Sequence, residues 1–132
     1  MYCSVDDLSA RYGSQKMIEL SSDSNIINSN LIIECIQDAD AEIDGYVQKV
    51  YDTPLDPVPR IIKSLSMKLT IANLYERRNI HDDTVAESKK YAVDLLKSIS
   101  KKTVSLGLVN DDEESIQSTS ISITSKDRIF YR

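Results

Sequence analysis

His81-Asp82-Asp83 is the one place in this 132-residue chain where an imidazole stands beside carboxylates. That grouping is the minimum for proton transfer, but general acid–base work also needs a buried group with a displaced pKa, and covalent catalysis needs a serine or cysteine brought to the histidine. The triplet falls in a turn between two helical patterns, where capping the next helix is its expected task, with Asp83 as the cap. The run Asp40-Ala41-Glu42-Ile43-Asp44-Gly45 imitates the opening of a calcium-binding loop. Its twelfth position is Tyr51 where a bidentate glutamate is required, and Ile43, Tyr46, Val47 and Val50 carry a helical stripe straight through it. A solvated helix face is therefore expected. Cys3 and Cys35 stand far apart with no second pair, so neither a disulfide framework nor a zinc site is signalled, and both read as buried free thiols. Gly13, Gly45 and Gly107 are too scattered for a phosphate-cradling loop. The expectation is a protein without catalytic residues, cofactor or metal.

Binding chemistry is better represented. Tyrosine is the chief aromatic type, and several of the seven lie on apolar stripes, where the ring packs and the hydroxyl reaches an edge. Arg128-Ile129-Phe130-Tyr131-Arg132 differs: no core is expected there, and arginine with aromatics is the composition of an interface anchor. Arg128, Phe130, Tyr131 and Arg132 are thus candidates for a partner-docking tail. Charge is unevenly spread. Residues 1–59 hold three basic and eleven acidic groups (net −8), residues 60–102 ten and five (+5), and residues 103–132 three and five (−2). Glu34, Asp38, Asp40 and Asp44 on one helix and Lys90, Lys97 and Lys101 on another become candidates for a contact in which the acidic side of one copy meets the basic side of the next.

These groups must be carried by helices. Ser4 with Asp7 three residues on opens a first short helix that Gly13 stops, and Ser14 is placed to cap a second. From about Asn30 to Tyr51 the apolar positions recur at three and four. Three prolines, Pro54, Pro57 and Pro59, then fix an extended connection. A helix from about Val58 to Arg78 is apolar around most of its circumference and belongs in the middle. A third long helix follows from Thr84 to about Lys101. After Lys102, Thr103–Val109 and the alternating Ser120–Ser125 are candidate strands separated by an acidic linker. The reading is all-α: a small bundle of three longer helices plus short N-terminal helices over residues 1–102. A C-terminal tail over 103–132, extended or a β-hairpin, needs a partner to order. No apolar run approaches the length of a membrane span, and the acidic N-terminus lacks the marks of a signal peptide, so a cytosolic, unprocessed protein is expected.

Several motifs in order resemble the small head-tail adaptor proteins of Mu-like phages and prophages. They are Tyr2-x-Ser4-x-x-Asp7-Leu8-x-x-Arg11-Tyr12-Gly13, Asp38-Ala39-x-Ala41-Glu42-Ile43-Asp44-Gly45-Tyr46, Tyr51-x-x-Pro54-Leu55-x-x-x-Pro59 and Ile71-Ala72-x-Leu74-Tyr75. The likeness covers about the first 80 residues and returns only at Arg128-x-Phe130-x-Arg132. It implies a helical virion protein with no catalytic residues to carry over. Such a protein forms a homo-oligomeric ring beneath the portal, in the virion neck, and in the host bacterial cytoplasm while assembly proceeds. Its partners would be the portal, a downstream neck or tail-completion protein, and DNA passing through the channel without specific recognition. The competing expectation is a small helical DNA-binding or regulatory protein whose Lys89, Lys90, Lys97, Lys101 and Lys102 face phosphates, which the overall charge of −5 disfavours.

Overall fold

A computed structural model of the chain describes residues 1–108, whose regular elements are five helices: α1 (Val5–Tyr12), α2 (Ser14–Ser21), α3 (Ser29–Val47), α4 (Arg60–Arg77) and α5 (Asp83–Ser100). No strand occurs among the described residues. The first helix begins as its sequence dictates. Ser4 Oγ accepts from the Asp7 amide at 3.1 Å, and the Asp7 carboxylate accepts from the Ser4 amide at 3.0 Å, which closes a reciprocal capping box. Gly13, at φ +94°, turns the chain between α1 and α2 in a conformation that residues with a Cβ rarely adopt.

Helix ends depart from the sequence reading in instructive ways. Ser14 is the first residue of α2 rather than its cap, because Gly13 already occupies the cap position and offers no side chain. Asn28 caps α3 by accepting from the Leu31 amide, and the helix stops at Val47 instead of continuing to Tyr51. Tyr51 keeps the four-residue spacing of the stripe through a final turn, its amide donating to the Val47 carbonyl, so the apolar period outlasts the helix. Pro59 sits at the cap of α4, which therefore starts at Arg60. Asp82, not Asp83, caps α5, accepting from the Val85 amide at 3.0 Å. Asn79 takes a left-handed conformation that asparagine tolerates and ends the turn after α4.

Packing joins these elements through two apolar cores. The end of α3 (Ala39, Ile43, Val47), the start of α4 (Ile62, Leu65, Leu69) and the end of α5 (Ala92, Leu96, Ile99) share one core, so α4 runs antiparallel to both neighbours. The start of α3 (Ile32, Cys35, Ile36) meets the end of α4 (Met67, Ile71, Leu74, Tyr75) in a second core completed by Leu8 of α1 and by Met17 and Leu20 of α2. As its composition predicts, α4 is buried around most of its circumference and contributes to both. Cys3 and Cys35 are free and buried. Asn73 donates to the Cys35 carbonyl at 3.2 Å, a cross-helix tie between α3 and α4.

Beyond α5, the described part of the segment read as a first strand is instead folded back on the bundle. The Thr103 amide and hydroxyl both donate to the Ser98 carbonyl, the Leu106 amide donates to the Tyr51 hydroxyl at 3.0 Å, and Leu106 and Leu108 pack against the first core. Residues 109–125, with the acidic linker and the second candidate strand, lie outside the described residues.

Candidate interaction surface

The acidic residues of α3 divide into two sets. Glu34 and Asp38 are exposed and stand four residues apart, and the partly exposed Glu42 extends the same line by another four, so three carboxylates share one helix edge. Asp40 and Asp44 were expected on that outer face as well. Here the structure corrects the sequence reading: both point toward the N-terminal segment and α4, where their charge is already engaged. The Tyr2 amide donates to Asp40 Oδ2 at 2.8 Å and the Ser66 hydroxyl to Asp40 Oδ1 at 2.7 Å. Burial pushes the Asp40 carboxyl above its ordinary value, against the opposing effect of these bonds.

Tyr2 is the residue that this arrangement serves. It is only 6% exposed, its hydroxyl donates to Asp44 Oδ1, and the same oxygen accepts from the Leu55 amide at 3.0 Å. Burial first, and then the bond to Asp44, raise its pKa to about 12. One phenol thus ties the N-terminal segment to the end of α3 and to the proline-rich connection. Ser66 also contacts Cys3 Sγ at 3.3 Å, and burial raises the Cys3 thiol above its usual value. Sequence reasoning names Tyr2 only as the first residue of the opening motif and does not single out Ser66; the signals for Tyr2 are that motif and the strong helix cap that follows it.

The basic candidates behave as expected of surface groups. Lys90 and Lys97 are exposed on α5, and Lys101 is exposed at its C-cap. Lys90 lies 3.5 Å from Asp94 one turn on, whereas Lys97 and Lys101 have no ion pair among the described residues. Lys89 approaches Glu76 at only 4.0 Å. Tyr91, 54% exposed, lies under the ammonium of Lys68 at 5.1 Å from the ring centre. Arg128, Phe130, Tyr131 and Arg132 lie outside the described residues.

His81 is exposed at the surface, with Nε2 at 3.0 Å from Asp83 Oδ1, so the pair sits in water. The small pocket beside it, about 180 Å³, has neither serine nor cysteine in its lining. Among the described residues no three His, Cys, Asp or Glu side chains converge on a position that could hold a metal ion. Asp40–Gly45 lies wholly within α3 rather than in a loop. A larger cleft of about 830 Å³ opens between the α2–α3 connection and the end of α4. Arg78 braces its wall, donating from Nε to the Leu20 carbonyl at 3.3 Å and from Nη1 to Asp23 at 2.8 Å. Among the described residues no helix is long and apolar enough to cross a membrane.

With this geometry in view, comparison with known proteins is informative. The model of the family described as bacteriophage Mu, Gp36 matches residues 2–124, nearly the whole chain and every described element. No curated protein matches it significantly. The chain belongs to the bacteriophage Mu Gp36 family and is a phage protein of the structural or morphogenesis class.

Proposed function

We propose that this protein is the head-tail connector of a Mu-like phage or prophage, a non-enzymatic adaptor that forms a ring beneath the portal and joins the DNA-filled head to the neck and tail. The observation that carries the reading is the family match over residues 2–124, taken with adaptor-like motifs of which many residues hold this fold together. Tyr2, Ser4, Asp7, Leu8, Gly13, Ile43, Tyr51, Leu55 and Leu74 are all core, capping or turn positions in the bundle. The surface supports it further. Once Asp40 and Asp44 are removed from the outer face, Glu34, Asp38 and Glu42 remain as an acidic edge on α3, against Lys97 near the end of α5 and Lys101 at its C-cap. Opposite charges on different elements of one subunit suit a head-to-tail contact, which repeats around an axis and closes into a ring when the rotation allows. The portal and the next neck or tail-completion protein are the expected partners, in the virion neck, and DNA would pass through the channel without base recognition.

Electron microscopy of the protein mixed with purified portal is the direct test. An added ring on the portal is the expected result, and a portal that stays bare after mixing would overturn the reading. Glu34→Lys with Asp38→Lys should impair ring formation, as should Lys97→Glu with Lys101→Glu, and the combination should restore it. In the DNA-binding reading the same lysine reversals would abolish a salt-dependent affinity for duplex DNA that the unaltered protein would have to show.

A further inference from the structure

The C-terminal motif Arg128-Ile129-Phe130-Tyr131-Arg132 finds no role in the α3 and α5 surfaces, and the described domain carries one groove whose chemistry matches it. The connection after α3 encloses a space of about 440 Å³, within the roughly 300 to 1,000 Å³ typical of sites that bury a compact ligand. Tyr51 and Leu55, both nearly fully buried, form its floor, and the exposed Pro54 and Pro57 give it apolar edges. Asp52 and Asp56 line it as well, exposed and without an ion pair among the described residues. It is therefore an apolar slot flanked by two carboxylates four positions apart in the chain.

We propose that this groove receives the segment Arg128–Arg132 of the same chain. Phe130 and Tyr131 supply rings for the proline edges and the buried floor, and Arg128 and Arg132, also four positions apart, supply guanidiniums for Asp52 and Asp56. Two features of the chain select this occupant. The first is charge: from Lys126 to the end the chain holds three basic residues and one acidic, opposite in sign to the groove. The second is where the chain leaves the domain. Gly107 and Leu108, the last described residues, form the groove's other wall, so the connecting residues 109–127 start at its edge. A random-coil chain of that length would reach about 25 Å on average, and tethering presents the segment at an effective concentration of order millimolar. Every copy carries the same groove, so the same contact exchanged between neighbours would link copies without any new surface. The assignment does not depend on the ring or on the portal.

Hydrogen exchange of the intact chain, read by mass spectrometry, tests it. The amides of residues 129–132 should exchange about tenfold or more slowly than in a free peptide of residues 126–132. Asp52→Lys with Asp56→Lys should return them to the peptide rate, and adding Arg128→Glu with Arg132→Glu should restore the protection. Phe130→Ser should also remove it, and retained amide protection at the centres of α3, α4 and α5 is the control that the bundle stays folded. Peptide-like exchange in the unaltered chain, or protection indifferent to the aspartate reversal, would overturn the proposal. Protection that disappears on dilution would assign the groove to a second copy and overturn the same-chain occupant.

Discussion

The two cores of this bundle are built from different materials. The core shared by α3, α4 and α5 draws its helical contribution from Leu, Ile, Val and Ala on three helices of eighteen or nineteen residues. The core beneath α1 and α2 contains Cys3, Met17, Cys35 and Met67, all the sulfur-bearing residues of either core, and its outer wall is two eight-residue helices. Helices that short are not stable alone in water, so α1 and α2 exist because they dock. Thioethers and thiols fill irregular space adaptably, and branched aliphatics lock into defined rotamers. The difference describes a rigid three-helix body with a conditional N-terminal arm. Polar ties fasten the arm to the body: Tyr2 to the α3 carboxylates, Ser66 of α4 to Cys3, Lys63 to Asp7 at 3.1 Å and Arg78 to the Leu20 carbonyl.

The sharpest way to break this comparison is to cut a cavity in each core. Leu65→Ala, in the three-helix body, should cost about 2 to 5 kcal/mol and release amide protection throughout the chain. Leu8→Ala should open the amides of α1 and α2 first and leave those at the centre of α4 and α5 protected. If native-state hydrogen exchange shows both variants lowering all amides equally, the arm and the body are one cooperative unit.

The fastening should then be visible in alkali. The Tyr2 pKa is raised in the folded state, from 10.0 to about 12, so its contribution is complete below pH 10 and is lost as pH climbs through about 12. A two-unit displacement corresponds to about 2 to 3 kcal/mol at its limit. Tyr2→Phe should abolish that alkaline slope in chemical denaturation. At neutral pH it should cost about 1 to 3 kcal/mol, because the Leu55 amide loses its acceptor and Asp44 its donor.

Asp40 should move stability in the same direction as Tyr2, but in acid. Its folded pKa also lies above the ordinary 3.8, so its contribution is fully present below that value and falls as pH rises through the folded pKa. Asp40→Asn should flatten the part of the stability–pH curve just above pH 3.8, and an unchanged curve would show that its burial carries no titration cost. The smallest effect belongs to the adaptable core: Met17→Leu keeps volume and should change stability by less than about 1.5 kcal/mol. A much larger loss would show that the arm is as exactingly packed as the body.

Most of the architecture is legible in the chain before any fold is known. Ser4 and Asp7 mark a capping box, Gly13 marks a break, and the apolar content of α4 marks the central helix, because each depends on local geometry or on the helical period. Errors cluster where two residues compete for one role. Asp82 and Asp83 are both competent caps, and only the path of the preceding turn selects Asp82. Tyr51 keeps the apolar spacing after α3 has ended, because burial constrains the side chain and not the backbone that carries it. The exposed lysines of α5 follow from periodicity alone, since among the described residues nothing buries them.

The acidic face of α3 is where sequence and structure part. Helical spacing places Asp40 and Asp44 one turn apart and therefore on one line, and Glu34 and Asp38 on another; that much is local and was determined by the sequence. Which line faces water was decided by a partner some forty residues away in the chain. Tyr2 approaches α3 with an amide and a hydroxyl that need acceptors, and Ser66 adds a third donor from α4. Buried donors left unmet cost more than a desolvated carboxylate that meets several of them. The period of a helix states which residues share a face, and only tertiary packing supplies the donors that make a charged face an inner one.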